Sequence, residues 1–214
     1  MKHRMARTIG VWMLTAMAIV FAAAPTLADY AKGVADYEAG RYADAAREFH
    51  NQARKGDTAA QFALGLLYDL GRGVRQDHAL AGTLYQRAAN AGLAAAQNNL
   101  GRMQLVGKGA PQNAYRAARW FRQAADQKLA QAQFNLGLLY ARGLGVSQNP
   151  DQAVKWYRLA ATQGETQSQF ALGRLLATSK GRTRDLSGAL KWLKKAAAKG
   201  HGPAEDVLGR MHER

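Results

Sequence analysis

The segment Gln61-Phe-Ala-Leu-Gly-Leu-Leu-Tyr68 returns as Gln133-Phe-Asn-Leu-Gly-Leu-Leu-Tyr140 and as Gln169-Phe-Ala-Leu-Gly173, with a more divergent copy at Gln97-Asn-Asn-Leu-Gly101. The interval is 36 residues or a multiple of it. Gly65, Gly101, Gly137, Gly173 and Gly209 share it, as do Ala81, Ala117, Ala153 and Ala189, and Trp120, Trp156 and Trp192. A period of this length held without insertion is the mark of a repeat architecture in which each repeat is one supersecondary element. Ala60, Leu64 and Leu67 fall at helical spacing and predict a first helix over about 58–70. A turn with two glycines follows in three copies, at Gly71 and Gly73, Gly107 and Gly109, and Gly143 and Gly145. Asp77, Asn113, Asn149 and Asp185 then stand one per repeat as N-caps of a second helix, and Pro150 suits the first helical position of its copy. Gly56, Gly92, Gly164 and Gly200 are placed to close the second helices in the left-handed conformation; Lys128 occupies the equivalent place in the remaining repeat and predicts local strain.

A single helix pair of this kind cannot bury its own apolar face. Alanine columns at 60, 81 and 88 let helices approach closely, Leu and Trp fill the layer between pairs, and stacking follows. The expected fold is all-α: a right-handed α-solenoid of stacked antiparallel helix pairs. Its expected parts are a helical hairpin over 29–57, four repeats at about 58–93, 94–129, 130–165 and 166–201, and a capping helix within 202–214, around 204–212.

The N-terminus sets the compartment. Lys2, Arg4 and Arg7 precede an apolar run from Ile9 to Ala24, and Thr26 and Ala28 supply small residues before Asp29. This is the pattern of a secretory signal peptide over residues 1–28, cut after Ala28, and predicts an exported periplasmic or secreted chain. The whole sequence of 214 residues carries 30 Lys+Arg against 15 Asp+Glu, a formal +15, of which the predicted signal holds three. A basic balance ordinarily suggests nucleic acid, but export removes that partner. With no cysteine, disulfides and thiolate metal sites are excluded.

The pattern Ala-Gln-x2-Leu-Gly-x2-Tyr-x2-Gly-x-Gly-Val, followed by Ala-x2-Trp-Tyr-x2-Ala-Ala-x2-Gly, closely resembles Sel-one-like repeats (SLR), a 36-residue relative of tetratricopeptide repeats. Residues 133–168 match nearly throughout, while the second repeat departs at Gln104, Ala110 and Lys128 and the fourth at Leu176 and Ser179. Residues 37–56 look more like a tetratricopeptide hairpin. The resemblance implies a non-catalytic adaptor or scaffold that binds one or more proteins in envelope, exopolysaccharide or signalling processes. It also implies that first helices line the concave wall.

Chemistry-bearing motifs are sparse. His50, His78, His201 and His212 show no paired spacing for zinc, no Gly-x-Ser-x-Gly elbow occurs, and the turn glycines lack the ending of a phosphate loop. No catalytic residue, cofactor or metal is expected. Positions that vary between repeats remain for binding. On the first helices one stripe brings Asn99 and Arg102, then Gln131, Asn135 and Arg142, then Gln167 and Arg174, to the expected concave wall. These side chains suit the backbone of an extended peptide or the hydroxyls of a glycan. On the second helices two columns carry Arg119, Lys155 and Lys191, and Arg122, Arg158 and Lys194. Such a ridge suits an anionic polysaccharide, a membrane surface or an acidic protein patch. The alternatives to an adaptor are therefore an anionic glycan or lipid binder, or an envelope enzyme of the β-lactamase or peptidoglycan-acting kind.

Overall fold

The computed structural model describes residues 27–179 and 183–212. The predicted signal lies outside the described residues apart from Leu27 and Ala28, which open the first helix. Among the described residues there are eleven helices and no strand: α1 (Leu27–Glu38), α2 (Tyr42–Arg54), α3 (Thr58–Leu70), α4 (His78–Asn90), α5 (Ala94–Val106), α6 (Ala114–Asp126), α7 (Ala130–Arg142), α8 (Pro150–Thr162), α9 (Thr166–Thr178), α10 (Leu186–Ala197) and α11 (Gly202–His212). The chain divides into two compact units, one running to Met103 with Gly107–Pro111 and the other comprising Gln104–Val106 and Gln112 onward.

In the N-terminal unit, α1 packs on α2, α2 on α3 and α3 on α4. Its core joins Tyr30, Phe49, Leu64, Leu67 and Leu84 to the alanines 45, 46, 53, 60 and 63. In the C-terminal unit each helix from α6 to α11 packs on its successor. There Tyr157, Leu172, Leu176 and Trp192 form one core cluster, and Leu193, Ala196 and Ala204 form another beneath α11.

The same columns recur in both units. Ala60, Ala96, Ala132, Ser168 and Ala204 on first helices have no accessible surface, and neither do Ala45, Ala81, Ala117, Ala153 and Ala189 on second helices. A larger column, Phe49, Tyr85, Phe121, Tyr157 and Leu193, is also buried at 36-residue spacing. It takes more of the core than the tryptophans do: Trp156 and Trp192 are buried, but Trp120 is only partly so. The glycines of the repeated first-helix word make room for it. A β-carbon on Gly65 would lie 2.9 Å from the Tyr85 ring, and one on Gly137 would lie 2.7 Å from Tyr157.

Caps and turns follow the sequence. Asp77, Asn113, Asn149 and Asp185 accept from Leu80, Arg116, Gln152 and Gly188 backbone N–H groups at 2.8–3.0 Å. Lys128 has φ +66°, the sole non-glycine with positive φ among the described residues. Where Ser179 replaces the turn glycine, α9 ends on an extended residue (φ −66°, ψ 160°), whereas α3, α5 and α7 end on left-handed Gly71, Gly107 and Gly143. The second glycine of each turn is fixed by packing. A β-carbon on Gly73 would sit 2.2 Å from the Tyr42 carbonyl carbon, on Gly109 2.1 Å from the His78 oxygen, and on Gly145 2.2 Å from the Ala114 oxygen. The turn of one repeat therefore closes against the start of the preceding repeat's second helix, and only a residue without a β-carbon fits.

Two glutamine columns satisfy carbonyls at helix ends, where no intrahelical donor remains. Gln61, Gln97, Gln133 and Gln169 donate to the carbonyls of Ala53, Ala89, Ala125 and Ala161 at 3.1–3.4 Å. Gln76, Gln112 and Gln148 donate to Asp69, Leu105 and Ala141 at 2.8–3.1 Å. Both columns and the residues whose carbonyls they bond recur in the sequence at 36-residue spacing.

Candidate interaction surfaces

Once these columns are buried, each repeat keeps a small set of accessible positions. On the first-helix stripe of the N-terminal unit, Asn99 is half-buried and Arg102 exposed, while Ala63, at the equivalent of Asn99, is buried. The Tyr85 hydroxyl is buried, with the Asn99 side chain as its polar neighbour. Burial pushes its pKa up and Asp69 adds to this, while Asn99 and Arg102 oppose. In the C-terminal unit, Gln131 and Asn135 are half-buried and Arg142, Gln167 and Arg174 exposed. Asn135 is engaged within the protein. The Arg174 guanidinium lies 5.7 Å from the Phe170 ring centre, and Gln167 Oε1 lies 3.4 Å from His201 Nε2. Burial pushes the Tyr157 phenol up to about 12, against the opposing field of Arg142 and Arg174. Those two cations, from different first helices, thus act on one phenol between them.

The basic columns divide differently. Arg119, Lys155, Arg158, Lys191 and Lys194 are exposed. Arg122 is half-buried: its Nη2 donates to the Tyr140 hydroxyl, and the guanidinium lies 5.7 Å from the Tyr140 ring centre and 4.8 Å from that of Trp156. Stacking of this kind contributes roughly 0.5–2 kcal/mol and, more usefully, fixes the plane of the guanidinium. None of the six forms an ion pair among the described residues. Arg119 and Arg122 share a cleft of about 280 Å³ with Tyr115, Ala118, Gln123, Leu136 and the turn at Gly145-Val146. Lys155, Arg158, Lys191 and Lys194 do not line it. Sequence reasoning placed Arg122 on the ridge but had no sign of its stacking, and it passed over Tyr115, which is 63% exposed beside it.

The histidines are dispersed in function as well as in sequence. His78 Nδ1 lies 2.9 Å from Asp69 Oδ1, and the His201 ring lies 4.5 Å from Phe170. Among the described residues no three His, Asp or Glu side chains gather to hold a metal ion. A second cleft, of about 480 Å³, at the C-terminal end of α2 is lined by Glu48, Asn51, Gln52, Arg54 and Lys55.

A Sel1 repeat family model matches residues 58–93, 94–129, 130–165 and 166–201. The chain belongs to the Sel1 repeat family. Among solved structures, a protective antigen of uropathogenic Escherichia coli with an SLR fold is 30% identical, with TM-score 0.80 over 86% of this chain. This chain spans 40% of that antigen's length. A Sel1 repeat protein from Oxalobacter formigenes is 33% identical, with TM-score 0.77 over 82% of this chain and 70% of that one. An immunity protein from Pseudomonas aeruginosa, 19% identical at TM-score 0.54 over 81% of this chain and 68% of that one, shares the fold. No curated protein matches the chain in sequence. Sel1 repeats generally mediate protein–protein interactions, and the all-α helix-pair fold is the one this family uses. Among the described residues no helix is long and apolar enough to cross a membrane.

Proposed function

We propose that this Sel1 repeat protein is an exported, non-catalytic adaptor that holds a partner protein on its first-helix stripe, in envelope, exopolysaccharide or signalling machinery. One observation carries the reading: the alanine, glycine and glutamine columns shared by the repeats are consumed by packing, while polar residues that differ between repeats keep accessible surface on the first helices. Asn99, Arg102, Gln131, Arg142 and Arg174 present amide and guanidinium groups there, which pair with peptide backbone and carboxylates. Export is supported by the basic and apolar N-terminal pattern. An enzyme would bring a nucleophile and a base together. Neither described cleft is lined by serine or histidine.

Crosslinking in cells with the full-length chain, followed by mass spectrometry of what is captured, tests this. One or more proteins are expected on the exported form, whose N-terminus should read Asp29. Capture should fall when Asn99, Arg102, Asn135 and Arg174 are all changed to alanine. Undiminished capture would remove the stripe from the reading, and an unprocessed cytoplasmic chain would remove export.

A further inference from the structure

The cleft at the start of α6 differs from its counterparts. In the preceding repeat the positions of Tyr115, Arg119 and Arg122 are taken by Ala79, Thr83 and Gln86. Ala118 is replaced there by Gly82, onto which the Gly109 carbonyl closes to 2.6 Å from a β-carbon position. The recess and its cations therefore occur together in the second repeat. Residues 112–162 set seven Arg and Lys against two carboxylates, Asp126 and Asp151, and Asp151 accepts from the Thr183 hydroxyl at 2.7 Å. Arg122 is thus a half-buried cation, immobilised on Tyr140 and Trp156, facing a cleft with no carboxylate in its lining. A fixed guanidinium offers a planar fork of donors at little further cost in side-chain entropy.

We propose that this cleft docks a short acidic segment of a partner protein. A carboxylate lies in the fork of Arg122 with Arg119 beside it. An adjoining apolar or aromatic side chain lies on Tyr115 above Ala118, Leu136 and Val146. The volume of about 280 Å³ falls just under the roughly 300–1,000 Å³ of small-molecule sites and accommodates one or two side chains. A lipid surface is flat and engages the exposed ends of Lys155, Arg158, Lys191 and Lys194 without needing the recess or Tyr115. Charge, an apolar floor and an exposed ring side by side fit a peptide better. The inference rests on the adaptor reading but uses the second helices rather than the stripe.

The test is fluorescence anisotropy of the full chain with a fluorescein-labelled peptide of sequence Asp-Glu-Phe-Glu-Asp. Binding is expected to weaken about tenfold for Arg122→Gln and several-fold for Arg119→Gln and for Tyr115→Ala. Arg122→Lys is expected to keep part of the affinity, because charge survives but the fork does not. Affinity should fall steeply between about 0.05 and about 0.5 M salt. The combined stripe variant should bind the peptide as the parent does. Arg119→Gln and Tyr115→Ala touch only surface groups, so they test the cleft even where Arg122→Gln perturbs folding, which circular dichroism reports. Peptide binding unchanged by either surface variant would overturn the proposal. So would peptide displacement by phosphatidylglycerol vesicles whose own binding depends on Lys155 and Lys191. Partner capture in cells that survives Tyr115→Ala with Arg119→Gln, yet is lost in the stripe variant, would leave the adaptor standing and remove the cleft.

Discussion

The two compact units share one interior and carry opposite surface chemistries. In the N-terminal unit ion pairs join Lys32 to Glu48, Arg41 to Asp36 at 2.7 Å, and Arg47 to Asp44, and His78 Nδ1 lies 2.9 Å from Asp69. From Asp29 the N-terminal unit sets ten Lys and Arg against eight Asp and Glu; the C-terminal unit sets seventeen against seven. In the C-terminal unit the basic columns make no ion pair among the described residues; Arg122 and Lys155 lie over Trp156 instead, and Lys195, beside the columns, lies over Trp192. The interior does not register this difference. A repeat needs its alanines, glycines, glutamines and one large ring to stack, and those positions recur wherever the surface goes. The residues that stack the repeats are thus largely separate from those that vary at the surface, which lets a helix-pair array change its surface without changing its fold.

The comparison breaks first at the turns. Gly73→Ala in one unit and Gly145→Ala in the other should each cost at least about 3 kcal/mol, because a β-carbon there meets backbone at 2.2 Å and φ is positive besides. Gly92→Ala, with φ +91° but open space around it, should cost only about 1 kcal/mol. Urea unfolding of the three variants measures this; equal losses would deny the turn its role in stacking.

Alkaline unfolding is the next test. Tyr30 in the N-terminal unit and Tyr157 in the C-terminal unit are both raised to about 12, chiefly by burial. A phenol with a folded pKa above its unfolded value near 10 contributes fully below pH 10. Its contribution fades as pH rises toward 12, by about 2–3 kcal/mol each. Tyr157→Phe and Tyr30→Phe should each flatten the stability loss over that window, seen as a smaller drop in Tm between pH 9 and pH 11. A loss confined to one unit would show that the two buried phenols are not equivalent.

Smaller effects sharpen the contrast. Gln133→Ala removes the 3.3 Å side-chain donor to the Ala125 carbonyl, which keeps the Lys128 N–H at 2.9 Å, and should cost about 0.5–1 kcal/mol by thermal unfolding, matched by Gln97→Ala at its 3.2 Å bond to Ala89, which keeps the Gly92 N–H. Lys128→Gly should stabilise the C-terminal unit by about 1 kcal/mol, since glycine takes φ +66° without strain. Native-state hydrogen exchange should localise the gain to α6 and α7. Slower exchange elsewhere instead would contradict a local origin.

Much of the fold was legible before any coordinates. The word around Gly65 fixes the period, and Asp77, Asn113, Asn149 and Asp185 fix the helix starts, because a cap is a local interaction between a side chain and the next backbone turn. Lys128 was legible too, since its strain is a property of one residue in one conformation. The surfaces were legible only in part. Arg119 and Arg122 stand three residues apart on one helix, which a sequence shows. That Arg122 turns inward onto Trp156 depends on rings 18 and 34 residues further on, in two other helices. The glutamine columns were visible as spacing, but that their amides reach back seven or eight residues to carbonyls at helix ends depends on side-chain placement across a turn.

The sequence by itself determined that the chain is a 36-residue helix-pair array, where each helix begins, and which residues are common property of every repeat. Those facts are periodic and local, and they repeat often enough to be read against one another. Only the tertiary structure decided which of the remaining residues act together: Tyr85 with Asn99 and Arg102, Arg142 with Arg174 around Tyr157, and Arg122 with Arg119 and Tyr115 in one cleft. Such groupings join side chains on different helices, and their distances are set by the packing of alanine, glycine and ring columns.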